Sequence, residues 1–330
     1  MNFLVVGCGS VGKRHLNNLI KIGINKNNIY AIDTREDRLE EVKSIGISNV
    51  FNSLDEALKF DIYASIVCSP TSMHIEQSLK LLNNNINILM EKPLCSNLDG
   101  IDEVIKLKDA KNLTFMMAYV FRFSPMTIQV KQMLKDNEIG KILYARGEFS
   151  EYLPDWHPWE DYRHFYMAKK ELGGGSILDQ CHIMDLFHYL FGKFSSVYAY
   201  NTKISELEIQ ADDIAEMIIH FENNIVGSIH TDIFGRKHKK KFEIKGTEGN
   251  ITWDFYDKKV TLYKSSTNRE DVFNNFDEDF NNCYIEELNT FIAACSDKTI
   301  LIPNLDVGID TMKLIVNSEK SHNTKKLEKI

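Results

Sequence analysis

The sequence predicts an α/β fold: an N-terminal doubly wound parallel sheet, followed by an α+β domain with a large, mainly antiparallel open sheet. In the first third of the chain, short apolar strand signals alternate with helical signals. In the last third, strand signals follow one another with no helix between them, which is typical of hairpins. A chain of 330 residues is also long enough for two domains.

Six strands are predicted in the first domain, and most are apolar runs, as a sheet covered on both faces requires. They are predicted at residues 3–6, 28–32, 50–51, 62–68, 86–90 and 113–118. Helical patterns lie between them, at residues 11–22, 36–45, 74–82 and 96–108, with a short helix opened by Ser53. Helices that connect strands imply right-handed crossovers and a parallel sheet, so the first domain spans residues 1–120.

The second domain, residues 121–330, begins with a helical pattern and continues into strands. Helices are predicted at 125–136, 176–191, 284–294 and 306–316, and strands at 141–149, 197–202, 215–221, 225–231, 241–245, 250–255 and 260–263. The polar tail, residues 319–330, is expected to fray. The basic run at 236–241 is interpreted as part of a solvated edge strand or hairpin.

Composition excludes several partners and sites. Lys plus Arg is 39 and Asp plus Glu is 47, a net charge of −8, which argues against nucleic acid or an anionic membrane as a partner. We find no apolar run long enough for a membrane span and no basic segment before an apolar run at the start. The six cysteines are scattered without a C-x-x-C pair, so we expect no disulfide framework and no metal, and a cytoplasmic location.

A glycine pattern after the first strand indicates a dinucleotide site of the Rossmann type. Gly7, Gly9 and Gly12 form G-x-G-x-x-G, with Ser10 and Val11 opening the helix that follows. This spacing provides a tight turn, close approach to a pyrophosphate and helix–strand packing, while the helix N-terminus offers N–H donors. A plain glycine-rich turn, or a site for another nucleotide-type ligand such as S-adenosylmethionine, are the alternatives.

Asp33 ends the second predicted strand, about 20 residues beyond the glycines. A carboxylate there can bind ribose hydroxyls and repels a 2′-phosphate, which favours NAD over NADP. Arg35 and Arg38 weaken that preference because an arginine can accept the phosphate.

Lys92 follows the predicted strand 86–90, at the sheet edge where ligands of open α/β sheets bind. Partial burial would lower the pKa of a lysine and suit it to exchange a proton with a carbonyl or alcohol. The alternative is an ordinary surface lysine at a strand end.

Three glycines at 173–175 precede Asp179 and His182. On one helix, residues three apart share a face, so the two side chains can form a proton relay. Two alternatives need no catalysis: Ser176 and Asp179 fit a capping box, and His182 fits a hydrogen-bonded core histidine.

An aromatic loop precedes these glycines and contains Trp156, Trp159, Tyr162 and Arg163. Aromatic faces interleaved with polar groups suit a sugar or a nucleotide. The same residues could instead form a small cluster that pins a long loop.

Together these motifs resemble the Gfo/Idh/MocA oxidoreductase family over residues 1–318. The resemblance depends on the glycine motif with Arg14-His15, on Cys68-Ser69-Pro70 and His74, on Glu91-Lys92-Pro93, on Arg122 before Ser124-Pro125, and on the Gly-Gly-Gly…Asp179…His182 stretch. It implies a cofactor site that includes Gly7, Gly9, Ser10, Val11, Gly12, Asp33, Thr34, Arg35, Cys68, Ser69, Pro70, His74, Glu91, Lys92 and Arg122.

The resemblance further implies an NAD(P)-dependent dehydrogenase of a sugar, polyol or derivative, with Lys92 as the acid/base group and Asp179 and His182 completing the site. Many members have D-x-x-x-H, whereas this chain has Asp179-x-x-His182, which makes Asp179 the least secure of the three. The aromatic loop resembles a subgroup linked to bacterial surface sugars, so an amino sugar or nucleotide sugar is one option.

Substrate contacts are expected from Lys92, Arg122, Trp156, Trp159, Tyr162, Arg163, Asp179 and His182. A homodimer or homotetramer formed through the C-terminal sheet is implied as well. The alternatives are a sensor that binds NAD and sugar without turnover, and an enzyme that uses bound NAD transiently.

Overall fold

The computed structural model describes residues 1–156, 158, 160–276 and 279–330. The chain divides into two compact units, Met1–Val120 with Asn281–Ile309, and Phe121–Phe280 with Asp310–Ile330. The first change of unit falls at the predicted boundary. The segment Asn281–Ile309, which the sequence analysis assigns to the second domain, packs within the first unit instead.

Within the described residues, the first unit contains a six-stranded parallel sheet of order β3-β2-β1-β4-β5-β6. The strands are β1 Phe3–Val6, β2 Ile29–Ile32, β3 Asn49–Phe51, β4 Ala64–Val67, β5 Asn87–Glu91 and β6 Phe115–Ala118. The helices between them are α1 Ser10–Lys21, α2 Glu36–Ser44, α3 Leu54–Ala57, α4 His74–Asn83 and α5 Ile101–Ala110. Four strands (β1, β2, β4 and β6) are buried throughout, which confirms the predicted doubly covered sheet.

Helix α9, Asn281–Ser296, completes the first unit. The carboxamides of Asn18 on α1 and Asn281 on α9 hydrogen-bond each other, and the Thr114 hydroxyl donates to the Ala294 carbonyl. Further on, the Met117 N–H donates to the Pro303 carbonyl at 2.7 Å, so residues 303–304 cover the edge of β6. Covering an edge strand blocks unwanted pairing.

The second unit contains, within the described residues, a nine-stranded sheet of order β14-β13-β12-β11-β7-β10-β9-β8-β15. Its strands are β7 Ile142–Tyr152, β8 Phe194–Thr202, β9 Ile214–Phe221, β10 Val226–Asp232, β11 Phe234–Gly246, β12 Gly249–Asp254, β13 Lys259–Lys264, β14 Arg269–Phe273 and β15 Glu328–Lys329. Neighbouring strands are antiparallel except β7 and β10, which pair in parallel. The prediction of a mainly antiparallel sheet is therefore confirmed. The helices are α6 Pro125–Lys135, α7 Ser176–Asp179, α8 His182–Phe191 and α10 Leu305–Thr324, of which α10 begins in the first unit.

One face of this sheet forms the core of the second unit. Phe149, Phe242 and Trp253 are fully buried, and the Phe242 and Trp253 rings stack with centroids 5.0 Å apart. The opposite face exposes Tyr198, Ile218 and other side chains. Alternation along the strands therefore produces one packed and one open face, as predicted.

Two predicted features of the second domain are wrong, and one of two alternatives for a third is confirmed. The helix predicted at 176–191 breaks after Asp179, so Asp179 and His182 lie on successive helices rather than on one helix face. The strand that contains the basic run, β11, lies between β7 and β12 rather than at an edge, and it forms an antiparallel hairpin with β12, so the hairpin alternative is the correct one. The tail does not fray: α10 continues to Thr324, and β15 pairs with β8.

None of the helices in the described ranges combines the length and the apolar character that crossing a bilayer needs.

Candidate active site

The glycine loop between β1 and α1 has the geometry that a pyrophosphate site needs. Gly7 has φ +91, and a Cβ at Gly12 would lie 1.9 Å from the Gly7 carbonyl oxygen. Around Gly9, in contrast, a Cβ would meet only Arg38 atoms, at 3.8–3.9 Å. Among the described residues no side chain caps α1, which begins with Ser10 and Val11. A helix N-terminus of this kind can bind an anion.

Asp33, at the end of β2, is buried beside this loop. Its carboxylate accepts hydrogen bonds from the Cys8 N–H (2.7 Å) and the Arg35 N–H (2.9 Å). Arg38 lies 3.4 Å from Asp33 Oδ2, whereas the Arg35 guanidinium pairs with Asp37. Thr34 is exposed at the same turn. A buried carboxylate at this point fits the ribose end of a dinucleotide.

The loop after β4 contains Cys68, Ser69 and Pro70, and His74 holds it in place. The His74 ring is buried, with Nε2 3.0 Å from the Ser69 carbonyl oxygen and Nδ1 2.9 Å from the Pro93 carbonyl oxygen. Burial lowers the pKa of His74, although its carbonyl partners oppose the change. His74 therefore joins the loop after β4 to the loop after β5. Within the predicted cofactor set, it is a residue that positions these two loops.

Glu91 and Lys92 lie at the carboxyl end of β5. Glu91 Oε2 accepts from the Lys92 N–H (3.2 Å), and Oε1 lies 3.1 Å from His15 Nε2 on α1. Lys92 is half-buried. Helix α1, which follows the glycine loop, is thereby joined to Glu91 through a fully buried histidine.

Two residues of α9 join this cluster, and the sequence analysis missed both. The Tyr284 ring packs edge-on against His15, at 5.9 Å between centroids, and the Arg14 guanidinium lies 4.5 Å from the Tyr284 centroid. Glu287 is fully buried on the same helix. No local signal near residue 284 indicates an association with residues 14–15, so only the tertiary structure reveals it.

His15, Cys68 and Glu91 place their ligand atoms within 4.8 Å of one another. Burial raises the pKa of the Cys68 thiol, and the Glu91 carboxylate raises it further. Metals bind the thiolate, so this environment disfavours a metal here. The expectation of no metal stays a prediction.

In the second unit, Arg122 is held by Asp185. Its Nε lies 3.0 and 2.9 Å from the two Asp185 oxygens, and a terminal nitrogen lies 2.7 Å from Oδ1. Burial raises the pKa of Asp185, with Arg122 opposing that rise. Arg122 also lies 4.7 Å from the centroid of the Tyr189 ring. Its side chain is 11% exposed, and contact with cofactor or substrate stays a prediction.

Asp179 and His182 lie on either side of the helix break. The Tyr166 hydroxyl donates to Asp179 Oδ1 (3.0 Å), and the His182 ring packs edge-on against Phe121 at 5.0 Å. Ser176 donates to Thr231 and does not cap the helix; Asp212 accepts the Ile177 N–H instead. The capping-box alternative for Asp179 is therefore wrong.

The aromatic loop packs on a small hydrophobic cluster that includes Leu153, Met167 and Ile233. Trp156 and Tyr162 contact this cluster, and the Tyr162 hydroxyl accepts from the Glu208 N–H. Arg163 is held by Asp161 and Glu208. Trp159 lies outside the described residues. This packing agrees with the interpretation of a pinned loop, and substrate contact stays a prediction.

A parallel sheet with this glycine loop and this buried aspartate defines a dinucleotide-binding protein. The chain belongs to the Gfo/Idh/MocA oxidoreductase family: residues 1–119 match its NAD-binding Rossmann fold, and residues 131–330 match its C-terminal alpha/beta domain. The expected family and fold class are confirmed.

Among curated relatives, myo-inositol 2-dehydrogenase of Thermotoga maritima is 28% identical over 305 residues, covering 88% of this chain and 87% of the relative. Levoglucosan dehydrogenase of Pseudarthrobacter phenanthrenivorans is 28% identical over 221 residues, which is 59% of this chain and only 56% of that relative. The solved structure of levoglucosan dehydrogenase in complex with NADH has a TM-score of 0.89 at 20% identity, and the match covers 100% of this chain and 99% of that one.

Proposed function

We propose that this protein is an NAD-dependent dehydrogenase that transfers a hydride between the nicotinamide and a hydroxyl-bearing or keto carbon of a sugar or sugar derivative. The main support is one arrangement in the first unit: the glycine loop leads into α1, and His15 on α1 joins that helix to Glu91, next to Lys92. The relatives that act on an inositol and on levoglucosan support the substrate class.

Lys92 is the proposed acid/base group. In the oxidative direction its amine accepts the proton of the reacting hydroxyl, and in the reductive direction its ammonium returns it. The bound nicotinamide supplies the hydride chemistry. Glu91 orients the start of the loop after β5, because its carboxylate accepts a hydrogen bond from the Lys92 N–H, and His15 fixes Glu91 in turn. His182 is proposed as a relay or alternative base, and Asp179 as its polar neighbour.

We propose NAD rather than NADP as the cofactor. Asp33 is buried and bonded to two backbone N–H groups, so its carboxylate is fixed where a 2′-phosphate would meet negative charge. Arg35 is engaged by Asp37 and offers little compensation.

We further propose a homo-oligomer formed through the open face of the nine-stranded sheet. That face exposes Tyr198 at 45%, Tyr200 at 50% and Ile218 at 51% of their surface. Aromatic and aliphatic side chains grouped on a sheet face are typical of an interface between subunits.

A cytoplasmic location is also proposed. All six cysteines, each in the described part of the chain, are free thiols, and five of them are buried. Free thiols suit a reducing compartment.

The experiment is a substrate panel with either NAD⁺ or NADP⁺ and the purified protein. The panel contains myo-inositol, levoglucosan, aldoses, amino sugars and nucleotide sugars, and reduced-cofactor absorbance is followed while mass spectrometry monitors each sugar. We expect turnover with NAD⁺ and one sugar class. Cofactor binding with no turnover and no product would support the sensor, and loss of substrate without net reduction would support transient use of NAD.

A further inference from the structure

A buried carboxylate in the second unit has no part in the chemistry proposed above. Glu151, near the end of β7, is 8% exposed. The Gln180 carboxamide donates to its Oε2 (3.2 Å), the Tyr256 hydroxyl donates to its Oε1 (2.5 Å), and the Lys240 ammonium lies 3.0 Å from Oε1. One side chain therefore joins β7, β11, the residues after β12 and the segment before α8.

Gln180 is the residue at which the predicted long helix breaks. It ends α7, with φ −82 and ψ 16, and α8 begins two residues later at His182. Its side chain is buried at 2% exposure, so the hydrogen bond to Glu151 is shielded from water. Anchoring Gln180 thus fixes the turn between Asp179 and His182.

The Glu151–Lys240 ion pair is also connected to His182 through the Phe121 ring. Lys240 Nζ lies 5.8 Å from the Phe121 centroid, and Phe121 packs against the His182 ring at 5.0 Å. Burial would raise the pKa of Glu151, but Lys240, Tyr256 and Gln180 outweigh it and hold that pKa below its usual value. The carboxylate is therefore charged at neutral pH, and loss of one partner would leave the other charge buried.

We propose that Glu151, held by Lys240 and Tyr256, is a positioning residue that sets the Asp179–His182 turn through Gln180. This inference rests on the proposed function only for its catalytic consequence. The structural consequence, a rigid turn, can be tested in the protein without substrate.

The first test is amide hydrogen exchange over residues 176–186 of the full chain, read by mass spectrometry. The Glu151→Gln variant should exchange about tenfold faster or more in this segment, as expected for a lost charge-assisted hydrogen bond. Glu148→Gln is the matched control. Glu148 pairs with Lys239 at 3.0 Å on the same two strands, β7 and β11, but this ion pair is more exposed than that of Glu151 and Lys240. Equal exchange rates in wild type and Glu151→Gln would overturn the proposal.

The second test uses the sugar that gives turnover in the panel. Glu151→Gln should lower kcat about 10- to 100-fold while the Kd for NADH stays unchanged, because a displaced catalytic group slows chemistry rather than cofactor binding. Lys240→Arg should keep most activity and Lys240→Met should lose it. If kcat of Glu151→Gln equals that of Glu148→Gln, the positioning role is wrong.

One more variant keeps the proposal testable if Glu151→Gln does not fold. Tyr256→Phe removes one hydrogen-bond donor without uncovering a charge, so it should fold and show a smaller change of the same kind in both measurements. If no sugar in the panel reacts, the exchange experiment still tests the structural claim. The absence of turnover then counts against the proposed function and not against the positioning role of Glu151.

Discussion

At the scale of single residues, alanine at Gly9 is predicted to weaken NADH binding, whereas alanine at Gly12 is predicted to lower stability. A Cβ at Gly9 would meet Arg38 atoms at 3.8–3.9 Å, an ordinary van der Waals distance, so Gly9→Ala should fold normally but weaken NADH binding about tenfold or more by blocking the pyrophosphate. A Cβ at Gly12 would overlap the Gly7 carbonyl oxygen, so Gly12→Ala should lose about 1–3 kcal/mol of unfolding free energy. Calorimetric Kd values and denaturant midpoints measure the two effects.

Each glycine variant is the control for the other. If Gly9→Ala is the less stable protein, or binds NADH as tightly as wild type, the space beside Gly9 is not the pyrophosphate site.

Some of the site could be predicted residue by residue, and some could not. The glycine motif and Lys92 each follow a strand within a few residues, so local spacing predicts their place at one edge of the sheet. Tyr284 lies about 270 residues from His15 in sequence, and the Asp185–Arg122 pair spans 63 residues. Such contacts depend on the tertiary structure, which no local pattern encodes.

At the scale of elements, the break after Asp179 shows how tertiary contacts override helical propensity. Residues 180–181 are Gln and Cys, and neither breaks a helix by itself. The break coincides with the buried hydrogen bond from Gln180 to Glu151. The sequence predicts the helix but contains no signal for its interruption.

Asp212, which caps α7, should make stability depend on pH. Burial raises its pKa to about 7 in the folded protein, whereas an unfolded aspartate titrates near pH 4. The folded state then holds a proton that the unfolded state has lost, so stability falls as pH rises from about 4 to about 7. Asp212→Asn should match wild type near pH 4 and exceed it above pH 7, by up to about 4 kcal/mol.

Urea denaturation of both proteins across this pH range measures the effect, with Asp306→Asn on α10 as the control. A constant difference between Asp212→Asn and wild type at all pH values would contradict the prediction.

The C-terminal strand β15 should stabilise the second unit. Glu328 and Lys329 pair with β8, the Ile330 N–H donates to the Ser195 carbonyl, and Ser321 donates to the Lys326 carbonyl. A chain ending at Lys325 should lose about 1–3 kcal/mol and expose the edge of β8 to aggregation. Thermal unfolding and light scattering measure both.

Lys320→Ala is the control for this truncation, since it removes only the ion pair with Glu328. A truncated chain with the stability of Lys320→Ala would show that β15 contributes nothing beyond that pair.

At the scale of the whole molecule, the order of the elements predicts both sheets but not the return of the chain to the first unit. Alternating strands and helices indicate the parallel sheet, and consecutive strands indicate the antiparallel one. The return of Asn281–Ile309 to the first unit could not be inferred, because an amphipathic helix such as α9 can pack on either sheet.

The open sheet face gives a prediction about assembly. Ile218→Lys should convert an oligomer into a monomer, because it places a charge among exposed Tyr198 and Tyr200 on adjacent β8. Ile128→Lys on α6 is the matched control, since Ile128 is 52% exposed and Ile218 is 51% exposed. Light scattering after size exclusion gives the mass of each; a wild-type monomer, or an unchanged Ile218→Lys oligomer, would contradict the assignment.

The central claim is that Lys92 exchanges the proton while the dinucleotide site binds independently of it. The most direct measurement compares kcat and the NADH Kd of Lys92→Met with those of wild type and of Lys59→Met, an exposed lysine in the same unit. We predict that Lys92→Met lowers kcat about 10²- to 10⁴-fold at unchanged NADH affinity, and that Lys59→Met changes neither. Retention of kcat by Lys92→Met would contradict the account.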